Sequence, residues 1–173
     1  MQQVKGGDGM AVILLTDMQR TRAISVVCDE QAMQQIMMRL QNPEICRTML
    51  PEALLGLLPS KYEMMVFGLY QGQYQVVLMD ENGETARLRM SDAVLLMTMS
   101  DIPLYIEEKL MSRQSTPYDE TATGIAIPIN TMDVPRLKTA LQRAIDDEDY
   151  ELASQLRDEI KRRSHPSATT TTL

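Results

Sequence analysis

The chain has 173 residues and a formal net charge of −7, and 44% of its residues are hydrophobic. This length suits one domain with an appendage, and no run of about eighteen apolar residues predicts a transmembrane helix. The acidic net charge weighs against nonspecific nucleic-acid binding. Because the sequence shows no secretory signal, we expect a cytoplasmic protein. Its two cysteines, Cys28 and Cys46, are then expected to be reduced and buried.

The amino-terminal third predicts strands followed by helices. Apolar runs at residues 10–16 and 23–28 are typical of two strands. The pattern then changes to a helical period over residues 29–40, where Asp29 suits the N-cap. A second, shorter helix is expected over residues 51–58, because proline is tolerated in a first helical turn.

The middle of the chain predicts an antiparallel meander. Its three strands are expected at residues 61–70, 74–79 and 84–89. Asn82-Gly83 is the strongest turn signal between them, since both residues tolerate positive φ. Ser91 then suits the N-cap of a helix. A short strand is expected at residues 102–106. This order of elements predicts an α+β fold, with a mainly antiparallel sheet and helices packed on it.

The remaining sequence predicts the domain organisation. Residues 1–112 are expected to form the α+β domain. Residues 113–132 contain Ser, Thr and Pro without a periodic pattern, which predicts a linker. Residues 133–163 have the pattern of a helical hairpin, and the low-complexity residues 164–173 are expected to be a disordered tail.

The hairpin prediction comes from two short apolar stripes around an acidic turn. Both stripes have helical spacing; they consist of Leu137, Ala140, Leu141, Ala144 and Ile145, and of Leu152, Ala153, Leu156 and Ile160. Asp133 and Asp149 suit the two N-caps, because their carboxylates can accept hydrogen bonds from first-turn amides. Two such helices are expected to close their apolar faces on each other.

This segment resembles the UVR motif, a hairpin found in the B and C subunits of bacterial excision repair and in some chaperone-linked adaptors. The acidic turn at 148–151, the Leu-Ala pair after it and residues 156–160 carry the likeness. The resemblance implies contact with a protein partner or self-association, with a homodimer expected. The implied partner-binding residues are Leu141, Tyr150, Leu156 and Arg157. The alternative is a terminal hairpin with no dedicated partner.

A second resemblance lies in the α+β domain. Residues 89–96, Arg-Met-Ser-Asp-Ala-Val-Leu-Leu, and the Ile-Pro-Leu-Tyr-Ile strand after them are similar to the signature of the bifunctional nuclease family. The likeness covers about residues 10–111 and implies an α+β fold that cleaves RNA and DNA. The initial strand usual in that family is not expected here before Met10.

Three positions depart from that family's pattern. Its glutamate is Gln31 here, unless Glu30 replaces it through a shift of one residue. Its histidine is Pro51 and its aspartate is Glu52. The single histidine of the chain, His165, lies in the predicted tail, so the sequence offers no histidine acid–base pair.

A nuclease on this pattern would have to be metal-assisted, with clustered carboxylates holding Mg²⁺ or Mn²⁺. The available carboxylates are Asp92 and Glu52, together with Glu30 or Asp29. We expect Asp92, Glu52 and Glu30 as the catalytic residues, and Asp92 and Glu52 as the ligands of any metal. Arg89 and Arg47 could hold phosphate. Each has a structural alternative, since Asp92 suits a helix N-terminus and Arg89 suits an ion pair.

Two functions therefore stay open from sequence. One is a divergent, metal-assisted phosphodiesterase that acts on RNA or DNA. The other is a catalytically inactive interaction or regulatory module on the same fold, which binds protein through the hairpin. Convergence of Asp92, Glu52 and Arg89 on one cleft would favour the enzyme, and their dispersal would favour the module.

Overall fold

The structure is a computed structural model, and it describes residues 2–5, 10–58, 61–120 and 128–164, with side chains from residue 11 onward. Most of the expected tail, including His165, lies outside the described residues, as do residues 121–127 of the expected linker. The expected α+β class is confirmed: strands form two sheets, helices pack on them, and a pair of helices forms the carboxy-terminal part.

The described residues contain these elements. The strands are β1 (Gln2–Lys5), β2 (Met10–Thr16), β3 (Arg22–Asp29), β4 (Tyr62–Tyr70), β5 (Gln73–Asp80), β6 (Thr85–Leu88), β7 (Leu104–Ile106) and β8 (Thr116–Pro117). The α-helices are α1 (Glu30–Gln41), α2 (Pro43–Cys46), α3 (Leu50–Leu55), α4 (Met90–Met99), α5 (Glu108–Gln114), α6 (Val134–Asp146) and α7 (Tyr150–Ser164). A 3₁₀ helix spans Ile129–Thr131.

Each sheet has four strands. The first has the order β1-β2-β3-β8 and is antiparallel throughout. The second has the order β6-β5-β4-β7, and its β4–β7 pair is parallel. The expectation of no strand before Met10 is wrong, because β1 pairs with β2 from Gln2 opposite Leu14 to Lys5 opposite Ala11. The polar sequence of β1 gives little period-two signal, so its pairing depends on the neighbouring strand.

The core lies between the sheets and the helices. It contains aliphatic and methionine side chains from both sheets and from α1 and α4, including Ile13, Val26, Ile36, Met64, Val66, Val76 and Val94. Cys28 and Cys46 are both buried and free. Burial raises the pKa of the Cys28 thiol to about 11, so this sulfur is a poor nucleophile at neutral pH.

Two local features differ from the sequence predictions. Helix α4 begins at Met90, so its N-cap is Arg89 and Ser91 lies in the first turn; no side chain caps this end. Arg89 keeps the extended backbone of the preceding strand (φ −72°, ψ 150°), which sets the start of the helix. Part of the expected linker is also regular, since α5 runs to Gln114 and β8 pairs with β3.

No helix in the described ranges is long and apolar enough to cross a membrane.

Candidate functional site

The carboxy-terminal hairpin has a closed apolar core of its own. Four buried side chains from α6 and α7 form it: Leu137, Ala144, Ala153 and Leu156. Asp133 caps α6 by accepting from the Arg136 amide at 2.9 Å, as its position predicts. Leu156 is 1% exposed and Leu141 is half-buried against the same core. Of the four residues expected to contact a partner, these two therefore hold the hairpin together.

The turn between α6 and α7 has a defined hydrogen-bond pattern. The Asp149 amide donates to the Ala144 carbonyl at 2.8 Å, and the Glu148 amide donates to the Ile145 carbonyl at 3.1 Å. These two bonds form a Schellman motif, in which Glu148 takes the left-handed conformation at φ 59°. The Asp149 carboxylate then caps α7 by accepting from the Leu152 amide at 3.1 Å. The tip of the hairpin is thus ordered by its own bonds.

The surface of this tip combines acidic and apolar groups. Residues 145–152 contain five carboxylates and no lysine or arginine. The same eight residues include three exposed apolar side chains: Tyr150, which is 70% exposed, Ile145 and Leu152. Periodicity assigned Ile145 and Leu152 to the buried stripes. Their exposure shows that the hairpin core stops before the turn, and we call residues 145–152 the hairpin tip.

The opposite end of the hairpin is fixed to the α+β domain. Arg163, on α7, donates to the carbonyl oxygens of Met132 and, at 2.9 Å, of Asn130. The Asn130 side chain in turn donates to Gln114 of α5 at 2.9 Å. Glu159 accepts from Arg163 and Arg162, both at 2.7 Å, so the guanidinium groups are held in place.

Arg89 and Asp92, which were expected to hold phosphate and to act in catalysis, bind each other. The Arg89 guanidinium donates two hydrogen bonds to the Asp92 carboxylate, from Nε to Oδ2 at 2.7 Å and from Nη2 to Oδ1 at 2.9 Å. This bidentate bond raises the pKa of Arg89 above its ordinary value. Asp92 therefore combines the two structural roles, in the first turn of α4 and in an ion pair with Arg89.

Glu52 has a different partner that sequence analysis did not identify. Its carboxylate accepts two hydrogen bonds from Arg39, at 2.6 Å from Nε and 3.2 Å from Nη2. The Arg39 side chain is only 3% exposed. Arg39 follows Met33 and Ile36 at intervals of three on the buried face of α1. That spacing is the signal that could have placed a buried cation there.

The other two predicted residues lie on the surface. Arg47 pairs with Glu44 at 3.0 Å, and both side chains are more than 70% exposed. Glu30 is the exposed first residue of α1. Among the described residues, no group of three or more His, Cys, Asp or Glu side chains could hold a metal ion. The predicted catalytic carboxylates Asp92 and Glu52 thus belong to separate ion pairs, with Arg89 and with Arg39.

Comparison with known families identifies the hairpin. Residues 134–162 match the UVR model, described as the UvrB/uvrC motif. The matched range covers α6 from its first residue and α7 up to Arg162. No curated protein matches the chain.

Proposed function

We propose that this protein is an interaction module, in which an α+β domain presents a UVR hairpin to a protein partner. The observation that carries this proposal is the exposure of Tyr150 at the hairpin tip. A large aromatic side chain that is 70% exposed, in a turn with two further exposed apolar side chains, is typical of a contact surface. Tyr150 and Arg157 are the expected partner-binding residues that remain accessible.

The charge of the hairpin tip indicates the kind of partner. Five carboxylates within eight residues repel the phosphates of nucleic acids and attract a basic protein surface. Because Ile145, Tyr150 and Leu152 are also exposed there, we expect the partner's surface to have an apolar patch surrounded by basic residues. A protein partner is therefore favoured over DNA or RNA at this surface.

The full-length chain with Tyr150→Ala tests the proposal, with Tyr105→Ala as a matched control because Tyr105 is an exposed tyrosine on β7. Proteins captured by the immobilised wild-type chain would be identified, purified and titrated against each variant. We expect Tyr150→Ala to weaken the affinity for an authentic partner by roughly tenfold or more, and Tyr105→Ala to leave that affinity unchanged. Equal affinities for both variants would exclude the hairpin tip as the binding surface.

The α+β domain offers a surface for self-association. Six large apolar side chains are exposed from the end of α1 to the residues that follow α3: Leu40, Ile45, Leu50, Leu54, Leu57 and Leu58. A segment with this many exposed apolar side chains differs from ordinary surfaces, where such residues are scattered singly. A second copy of the chain could cover the segment by two-fold symmetry, which makes a homodimer with this segment at its centre.

Sedimentation velocity of the wild type and of Leu54→Asp tests the homodimer. We expect a dimer at micromolar concentration for the wild type and a monomer for Leu54→Asp, since a charge would be desolvated at the interface. The control is Met18→Asp, at a fully exposed position in the β2–β3 turn. A wild-type monomer at that concentration would exclude this interface.

Metal-assisted hydrolysis of RNA or DNA is the second candidate function. Its support is the likeness of residues 89–96 to the bifunctional nuclease signature and the position of Arg89 and Ser91 beside a cavity. Asp92, Glu52 and Glu30 would supply the carboxylates for Mg²⁺ or Mn²⁺, and Arg89 and Arg47 would bind phosphate. For this chemistry Asp92 and Glu52 would have to leave their arginine partners.

The nuclease test is an assay of purified protein on single-stranded RNA and DNA with Mg²⁺ or Mn²⁺. Cleavage that is lost in Asp92→Ala and in EDTA would establish the enzyme. Cleavage that persists in both would come from a contaminant, and absence of cleavage would leave the interaction module as the function of the domain.

A further inference from the structure

A groove lies at the base of the hairpin, where the carboxy-terminal end of α7 meets β4 and α5. It consists of two adjoining cavities of about 290 and 490 Å³, and Leu69, Asn130 and Arg162 line both of them. We call it the base groove. It is separate from the hairpin tip, because none of residues 145–152 lines it.

The apolar part of the base groove comes from β4 and α5. Phe67 and Tyr70 of β4 are both exposed, and the partly buried Leu69 and Leu110 lie in the same walls. The register of β4 with β5 shifts next to Phe67, which is the extra residue of a β-bulge. A bulge re-aims a side chain, and here it belongs to the only phenylalanine of the chain. Two exposed aromatic side chains in one groove are typical of a contact surface.

The charged part of the base groove is mainly cationic. Lys109, Arg113 and Arg162 line it, against the carboxylate of Glu107. Arg162 is held by Glu159, whereas the Lys109 and Arg113 side chains have neither an ion pair nor a hydrogen bond among the described residues. The chain as a whole has a net charge of −7, so a local cationic surface indicates an acidic partner.

The hairpin tip has the complementary character. It contains five carboxylates together with the exposed Ile145, Tyr150 and Leu152. The base groove has exposed aromatic groups with lysine and arginine beside them, which is the kind of surface that the tip is expected to bind. One chain therefore contains both halves of a contact that is apolar at its centre and opposite in charge around it.

The tip cannot reach the base groove of its own chain. Tyr150 and Arg162 are twelve residues apart on α7, which at about 1.5 Å per residue is about 18 Å along one helix. The hairpin core holds α7 against α6, and the bond from Arg163 to the Asn130 carbonyl fixes its carboxy-terminal end. The two complementary surfaces can therefore meet only between two copies of the chain.

We propose that the base groove binds the hairpin tip of a second copy of this chain. The two hairpins run antiparallel about a two-fold axis, so each tip lies in the groove of the other copy and the contact is closed. Tyr150 packs against Phe67 and Tyr70, and the carboxylates of the tip face Lys109 and Arg113. This inference rests on the proposed role of the tip as a contact surface and names its partner. None of residues 40–58 lines the groove, so both self-contacts can form together.

Sedimentation velocity of the full-length Leu54→Asp chain tests the contact, because this variant lacks the other self-association surface. A tip and a groove bury little area, so we expect a monomer at about 1 µM and a dimer at about 100 µM. An ionic strength of about 0.1 M suits the test, since it screens the net charges of the two copies more than the close tip–groove pairs. A chain that stays monomeric at the higher concentration would overturn the proposal.

Charge reversal in the same background assigns the residues. Tyr150→Lys puts a cation in the tip and Arg113→Glu puts a carboxylate in the groove, so each variant alone is expected to weaken the dimer by about tenfold or more. Lys109→Glu is a second groove variant with the same expectation. The matched control is Lys61→Glu, at an exposed lysine just before β4, which should leave the dimer unchanged.

An equimolar mixture of the Tyr150→Lys and Arg113→Glu chains should dimerise again. One of its two contacts is unaltered, and in the other the two new charges attract each other. A mixture that associates no more than its components would exclude the groove, as would equal dimerisation of the Arg113→Glu and Lys61→Glu chains.

Single-stranded nucleic acid is the other macromolecule that cationic and aromatic groups attract. Titration of a fluorescent oligothymidylate separates the two cases. Binding that is lost in Arg113→Glu, in a chain that does not self-associate, would assign the groove to nucleic acid and overturn the proposal. Arg113→Glu keeps the hairpin tip intact, so capture of a different protein through Tyr150 can succeed where self-association fails. The failure of this inference is therefore distinct from the failure of the proposed function.

Discussion

Gly72, in the turn between β4 and β5, lies directly against the carbonyl group of Met132. A Cβ atom at Gly72 would overlap with that carbonyl and lie 3.1 Å from Nη1 of Arg163. The same Met132 carbonyl accepts a hydrogen bond from Arg163. Because Arg163 belongs to α7, this close approach joins the hairpin to the second sheet. The contact requires a glycine for space as well as for its φ of 83°.

Gly72→Ala is therefore expected to loosen the attachment of the hairpin. Gly83 is a matched control, since it has the same φ of 83° and no atom within 4 Å of its Cβ position. Gly83→Ala should cost only about 1–2 kcal/mol of unfolding free energy, from the left-handed backbone. Gly72→Ala should cost clearly more, because backbone atoms must also move apart. Urea denaturation of both variants would measure the difference, and equal costs would argue against the contact.

Glu52 is expected to stabilise the fold through Arg39. Glu52→Gln leaves the guanidinium of a 3% exposed arginine without its counter-charge, and we expect a loss of about 3 kcal/mol of unfolding free energy. Glu44→Gln breaks the exposed pair with Arg47 and should change stability by less than about 1 kcal/mol. Urea denaturation again provides the measurement. A loss of less than about 1 kcal/mol for Glu52→Gln would contradict the structural role of this pair.

Glu148 offers a stabilising substitution at the hairpin tip. Its φ of 59° is unfavourable for a side chain that has a Cβ, so Glu148→Gly should stabilise the hairpin by about 1 kcal/mol. The neighbouring Asp147 has an ordinary φ of −86°, and Asp147→Gly should destabilise it by a similar amount. Hydrogen exchange of the α6 and α7 amides would show opposite changes. Faster exchange in both variants would disprove the left-handed conformation at Glu148.

The hairpin should lose stability in acid through Glu159. Its pKa is held below the ordinary value of 4.5 because Arg162 donates to the carboxylate; burial opposes this effect, and Arg163 adds to it. The unfolded chain takes up this proton at higher pH than the folded one. The stabilisation is therefore complete above about pH 4.5 and is lost as the pH falls through the folded pKa.

Melting temperatures between about pH 6 and about pH 3 would test this sign, with Glu159→Gln as the comparison. At the upper pH the wild type should melt at a higher temperature than Glu159→Gln. The two melting temperatures should converge as the pH falls toward the lower end of the range. A constant difference across the range would show that protonation of Glu159 does not control the stability of the hairpin.

The local sequence pattern was sufficient to predict the elements whose stabilising contacts are between residues close together in the chain. The apolar spacing of residues 137–160, with Asp133 and Asp149 as caps, predicts α6, the turn and α7, and the structure confirms all three. Asp29 likewise caps α1 as its position predicts. In these cases the partner is within a few residues along the chain, so spacing alone identifies it.

Contacts between residues that are far apart in the sequence could not be predicted in this way. The Arg39 partner of Glu52 is thirteen residues away and buried, so a carboxylate that suits a metal site by its position became half of an ion pair. The parallel pairing of β7 with β4 and the first strand β1 also depend on the neighbour that each strand meets. A single strand's pattern does not identify its neighbour in the sheet.

By itself the sequence determined the helical hairpin, its acidic turn and the α+β class, because helix periodicity, capping and turn residues act between neighbours along the chain. Tertiary structure alone decided which arginine neutralises each carboxylate, which apolar residues of the hairpin stay exposed, and that the first turns of α1, α4 and α6 meet at one cavity. These outcomes depend on the packing of segments that are far apart in sequence, and such packing is governed by the burial of the whole core.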